Sequence, residues 1–414
     1  GLPPAQVDQL AQLLVKPLLD ELPLDDALSG FAAVAEEDVR RWFDDTAESI
    51  EDSAFKIAVA VFHGARYSAV DDAARNLAHL LQPQPDSGKR DESQPPSPSP
   101  FKKPKRQDKL TMAHAKLLQR TVVADYSDSA QIEIVELEHA SYSKAMLKYL
   151  WLEFDELRQP LLDWLCVYAV HAPLDMRLRA AGAIGALAGL DFDYIRARAF
   201  RAWAYAGKDN DERREYRQAL GNALGVLIWT PERAEDVLGL LRAWVEDGSE
   251  PLKWAAARAY AQVGLRYPRE AINQWRRILE SEGKLTIRLT DSFGVSIPHP
   301  LHMSVIDAII SLFLRALEFP HRLRPVYEEA LEGLAAWIEA DAKDKNSEQA
   351  GLPLFLVLTA ILIPPDDGSG DAEEWPPAML YVVATQPDST YRQALAGMLR
   401  RALGHPRFDR LAAA

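Results

Sequence analysis

The chain has one cysteine in 414 residues, Cys166. No disulfide can close within it, which suits a reducing compartment, so the expected location is cytoplasmic. The cysteine lies in Leu162-Asp-Trp-Leu-Cys-Val-Tyr168, among apolar neighbours at helical spacing. A thiolate nucleophile needs a base and a polarising environment, and neither stands nearby in sequence. Cys166 therefore reads as a buried structural residue. Methionine is absent before Met112, residue 1 is Gly, and no secretory leader is visible. The expectation is a piece of a longer protein. Long apolar runs are also missing. The longest, Leu352–Ile363, is too short to cross a bilayer and reads as a buried helix, so no membrane span is expected.

Positive charge is scarce. The net charge is −14, and residues 1–81 hold 15 Asp or Glu against 6 Lys or Arg. Nucleic-acid grooves work by neutralising phosphates, so the acidity argues against that class of partner. The exceptions are local. Lys102-Lys-Pro-Lys-Arg106 is a basic tract, read as a solvated charge run that keeps its loop extended. Arg177, Arg179, Arg196, Arg198, Arg201, Arg213, Arg214 and Arg217 fall close together, and Arg214 and Arg217 are spaced to share a helix face.

Glycine occurs without the phosphate-cradling pattern. No Gly-x4-Gly-Lys-Ser/Thr exists: Gly88-Lys89 is followed by Arg90, Gly207-Lys208 by Asp209, and Gly283-Lys284 by Leu285. No Gly-x-Gly-x-x-Gly follows a strand, and no Gly-x-Ser-x-Gly elbow is present. His299-Pro-Leu-His302 lacks a third ligand at motif spacing. Asp366-Asp-Gly-Ser-Gly-Asp371 does not hold its oxygens in calcium-loop register. No enzyme, cofactor or metal site is expected.

What the chain does have is a repeat. Arg179–Leu190, Arg217–Ile228 and Trp254–Leu265 are three Ala/Gly-rich helices starting 38 and then 37 residues apart. Bulkier partners follow each: Phe192–Tyr205, Pro231–Asp247 and Pro268–Ser281. Small residues let paired helices approach, and large ones fill the groove between them. The fold class expected is all-α. It would be an α-solenoid over 159–414, with an insertion near 283–300 that forms a short hairpin or long loop. Further helices are expected at 301–317, 321–341, 349–363, 376–386 and 389–403. Upstream, 1–81 reads as a helical domain, with a stripe from Val7 to Leu19 and a helix capped by Ser68. Residues 82–109 read as a Pro/Ser/Lys-rich linker. Within 110–158, Gln131–Glu138 alternates apolar and acidic positions as a strand would, giving a small winged-helix-like element.

Two resemblances attach to these residues. Asp175 followed by Leu178-Arg-Ala-Ala-Gly-Ala-Ile-Gly-Ala-Leu-Ala188 resembles the second helix of a HEAT repeat. Lys253-Trp-Ala-Ala-Ala-Arg-Ala-Tyr-Ala261 is similar, with Glu250 in place of the Asp. Phe55–Tyr67, and Tyr149–Arg158 leading into Pro160–Leu165, resemble the helical or winged-helix region after the nucleotide-binding core of bacterial STAND-type NTPases. That resemblance implies a sensor region in a signalling or defence protein. Any nucleotide would then bind only through a domain upstream of this sequence. The function expected is a non-catalytic scaffold or sensor that binds a protein partner. Its partner loop is placed around Asp291, Phe293, His299 and His302. The competing readings are a DNA-repair-like helical-repeat protein with an Arg/Lys stripe and an architectural module for self-association.

Overall fold

The computed structural model describes residues 24–44, 49–82, 104–123, 129–281, 288–289, 295–296, 299–318, 320–343 and 389–404. The stripe Val7–Leu19, linker residues 83–103, the helices expected at 349–363 and 376–386, and the acidic tract after Asp366 lie outside them. The described residues are predominantly helical, and no described helix is long and apolar enough to cross a membrane. The chain divides into two compact units, 1–199 and 200–414.

The first unit opens with α1 (Leu24–Asp44) and is built around α2 (Ile50–Phe62). Ser49 caps it by accepting from the Asp52 amide at 3.1 Å. Every residue from Ala54 to Phe62 is buried. A helix apolar on all sides must be surrounded, and α2 touches α3 (Tyr67–Leu81), α5 (Ser141–Glu153) and α7 (Leu174–Leu190) as well as the β2 strand (Ser129–Leu137). Lys56 is the one charge in that run, 1% exposed. Its Nζ donates to the Trp42 carbonyl at 3.3 Å and lies over the Trp42 and Phe43 rings. Between α2 and α3 the chain turns through Gly64 at φ +82°, where a Cβ would sit 2.6 Å from Nη2 of Arg179. Only glycine meets both conditions without strain.

The strand expected at 131–138 is β2, and it pairs with a strand the composition did not announce. This is β1 (Ala115–Val123), antiparallel from Ala115 opposite Leu137 to Val123 opposite Ser129. The opposite edge of β2 receives Arg66, bridged to Ile134, and the Val135 amide donates to Ala65 O at 2.9 Å. The short α4 (Arg106–Met112) leads into β1. Residues within 50–81 thus pack against the strand expected within 110–158. Helix α6 (Asp155–His171) closes the unit against α3 and α7. Trp164 of α6 donates its indole N–H to Ala73 O at 3.1 Å and meets Phe62 edge-on.

The boundary between the units falls in a π-helical turn, Arg196–Phe200, between α8 (Phe192–Ile195) and α9 (Arg201–Tyr205). The second unit then alternates two layers. One contains α10 (Asn210–Leu227), α12 (Glu250–Val263) and α14 (Pro300–Glu318), with α10 against α12 and α12 against α14. The other contains α11 (Ala234–Glu246), α13 (Pro268–Ser281) and α15 (Pro320–Lys343), with α11 against α13 and α13 against α15. A last described helix, α16 (Ser389–Leu403), lies on α15. Within the 283–300 insertion, Arg288–Leu289 pairs antiparallel with Val295–Ser296.

The Ala/Gly faces set the contact between α10 and α12. A Cβ on Gly221 would meet the Arg258 carbonyl at 3.4 Å, and one on Gly225 would meet Cβ of Gln262 at 2.8 Å. Gln218 accepts from Arg258, and Arg217 faces Trp254. Partner numbers rise together along both helices, so α10 and α12 run parallel. Arg217 with Trp254, Gly221 with Arg258 and Gly225 with Gln262 are each 37 residues apart. The sequence period is therefore the spatial register. The bulky layer fills the groove: Val237, Leu241 and Trp244 of α11, and Ile272, Trp275 and Ile278 of α13, are all buried. Trp275 donates to Ala257 O at 2.9 Å.

Candidate functional site

A cavity of about 290 Å³ opens at the N-terminal ends of α10, α12 and α14. Each helix sends residues to it at one-turn spacing, so each presents a single face: Asp211, Arg214 and Arg217 from α10, Trp254 and Arg258 from α12, Ser304 and Asp307 from α14. Asp209 fixes the start of α10 by accepting from the Glu212 amide at 2.9 Å. Helix α14 starts at Pro300 and carries no acidic residue in its own first turn.

The charge is graded by depth. Arg214 is exposed at the mouth and Arg258 is half-buried. Arg217 at the base is 3% exposed, with its guanidinium carbon 4.1 Å from the centre of the Trp254 ring. Nε and Nη1 of Arg217 have no hydrogen-bond partner among the described residues, and neither has the Ser304 hydroxyl. Burial, and next the Arg213 charge, pull the Arg217 pKa down to about 10 against the pull of Glu250. The side chain is still a cation at neutral pH. Burial also lowers the pKa of Arg258, opposed by Asp307. It raises that of Asp307, opposed by Arg258 and then Arg214. Arg258 donates to Gln218 Oε1 at 2.9 Å. None of the three arginines makes a contact ion pair with a described carboxylate. An arrangement of this kind can donate charge-assisted hydrogen bonds from a dry cation beside an aromatic wall.

The residues singled out in the sequence are distributed otherwise. Asp291 and Phe293 lie outside the described residues. His299 is half-buried just before α14. His302 is 2% exposed inside the first turn of α14 rather than in a loop, with its ring centre 4.5 Å from that of His299. Among the described residues no group of three His, Cys, Asp or Glu is placed to hold a metal. The Cys166 thiol is pushed up to about 12 by burial and the Asp163 charge, so it rests protonated. Of the clustered arginines, Arg196 pairs with Asp193 at 2.9 Å, Arg198 bonds Gln159, and Arg213 donates to the Gly207 carbonyl. Only Arg214 and Arg217 enter the cavity. Arg258, Trp254 and Ser304 were not anticipated as site residues. The signal for the first two was the repeat itself, because the 37-residue offset carries Arg217 onto Trp254 and Gly221 onto Arg258.

Comparison with family models, with characterised proteins and with solved structures gives no match for this chain.

Proposed function

We propose that this chain is a non-catalytic helical-repeat region of HEAT-like pairs that holds or senses a protein partner. The observation that carries the reading is the coincidence of the 37-residue sequence period with the side-by-side register of α10 on α12. Layers that grow by nearest-neighbour stacking build extended surface rather than a reaction centre. In the first unit, the order α2, edge residue Arg66, α3, α4, β1 and β2 supports a winged-helix-like arrangement. It does not favour the nucleic-acid reading, because the cations of α4 are engaged. Arg106 pairs with Glu133 at 2.6 Å and stacks on Tyr67, and Lys109 pairs with Asp71 at 2.9 Å.

Excision of residues 217–253 tests the repeat. The deletion joins Tyr216 to Trp254 in helical phase, so a stacked array should lose one unit and remain soluble, helical and cooperative in its melt. A product without helical circular dichroism would overturn the repeat reading. Phosphate release from ATP by the purified chain above background would overturn the non-catalytic one.

A further inference from the structure

We propose that the cavity at the N-terminal ends of α10, α12 and α14 binds a small organic oxyanion, with its acid group on Arg217 and its flat apolar body against Trp254. This goes beyond the scaffold reading and does not depend on it. Three observations converge on the ligand chemistry. Arg217 is a guanidinium removed from water with two nitrogens, Nε and Nη1, unspent among the described residues. Burying such a cation is unfavourable unless something satisfies it. An oxyanion does so at charge-assisted strength.

The second observation is the Ser304 hydroxyl, on the second turn of α14 and without a hydrogen-bond partner among the described residues. It supplies a neutral donor near a helix start whose dipole favours negative charge, although Pro300 brings no N–H and the Met303 amide donates to His299 O. The third is the shape of the wall. The Trp254 ring already lies against one face of Arg217, so an aromatic or similarly flat body is accommodated next to the charge. Arg214, exposed at the mouth, attracts an anion and leads it inward. Two carboxylates, Asp211 and Asp307, share the lining with the three arginines, and they limit the ligand to an acid group at the Arg217 end. A second negative charge near Asp307 would be repelled, whereas a hydroxyl or amino group there would be accepted. A volume of about 290 Å³ admits a single-ring acid.

Titration calorimetry of the purified chain with phenyl phosphate and with benzoate tests the assignment, with benzyl alcohol as the neutral control. At least one acid is expected to bind saturably and the alcohol not to bind. The stronger of the two acids identifies the oxyanion preferred. Arg217→Met is expected to weaken that acid at least tenfold. Because it removes an unsatisfied buried charge, it should raise the melting temperature of the free protein. A purely structural Arg217, held for its stacking on Trp254, would instead lower the melting temperature when replaced. Arg214→Gln, at an exposed position, keeps the test decisive if Arg217→Met fails to fold, and should weaken binding about threefold or more. Absence of binding by both acids at millimolar concentration overturns the proposal. So does equal binding of benzyl alcohol, or an affinity that neither substitution changes.

Discussion

Gly225 and Gly239 both sit inside helices, and their surroundings separate them. At Gly239 nothing lies within 4 Å of a built Cβ, whereas at Gly225 the Cβ of Gln262 would be 2.8 Å away. Alanine gains up to about 1 kcal/mol of helix propensity over glycine. Overpacking a closed contact costs roughly 1–3 kcal/mol. Gly239→Ala should therefore stabilise by about 0.5–1 kcal/mol, and Gly225→Ala should destabilise by about 1 kcal/mol, both read by urea denaturation. His63 gives a pH signature. Burial is the main cause of its lowered pKa, followed by the Arg179 charge. The unfolded chain then takes up this proton at a higher pH than the folded one. The contribution of His63 is present above its unfolded pKa, near 6.5, and is lost as pH falls below it. His63→Gln should flatten the decline in stability between pH 7 and pH 5. An unchanged slope would assign that decline to other groups. Residue-level reading from sequence also has a limit at Ser68. The residue looks like a cap, yet α3 begins at Tyr67, with Arg66 before it held in the bridge to Ile134. The cap therefore falls two residues earlier than expected, at a residue engaged in a tertiary contact.

Among the elements, the bulky layer depends on a few tryptophans with a polar end that must be satisfied. Trp275 is fully buried and donates to Ala257 O, whereas Trp229 is 56% exposed. Trp275→Phe loses a hydrogen bond and leaves unfilled volume, together about 2 kcal/mol. Trp229→Phe should stay within about 0.5 kcal/mol. Equal losses in chemical denaturation would contradict the packing described. Ion pairs also join this layer: Arg242 with Glu270 at 2.6 Å, Arg277 with Glu246 at 2.8 Å, and Arg269 with Glu332 at 2.8 Å. They are solvated enough that each adds at most about 1 kcal/mol. Helix α13 was legible from end to end, because Pro268 opens it and its apolar residues keep one period. The expected helix over 192–205 was not. It is helical from Phe192 to Tyr205, but a π turn at Arg196–Phe200 changes the hydrogen-bond spacing, and nothing in residue order marks it. Strand β1 was missed for a similar reason. Lys116, Gln119 and Arg120 dilute its alternation, and it is a strand because β2 lies beside it.

For the whole molecule, the net charge of −14 makes a general prediction. At low ionic strength the chain should pass through a heparin column and be retained on an anion exchanger. Retention on heparin would revive the nucleic-acid alternative, and no salt-dependent shift of a DNA duplex is expected. Composition, the single cysteine, the absence of a phosphate loop and the 37-residue period are properties of residue order. They were sufficient to anticipate a helical chain, the pairing of small-faced with bulky helices and most helix positions. Residue order could not say which cations lose their water. Arg217 sits among other arginines in sequence and has no feature that sets it apart from Arg213 or Arg214. It became a buried donor with nitrogens unspent among the described residues because parallel stacking at that period brings Trp254 over it and α14 alongside. Periodicity is a local property and survives in one dimension. Desolvation depends on what three distant segments do together, and only the tertiary structure decides that.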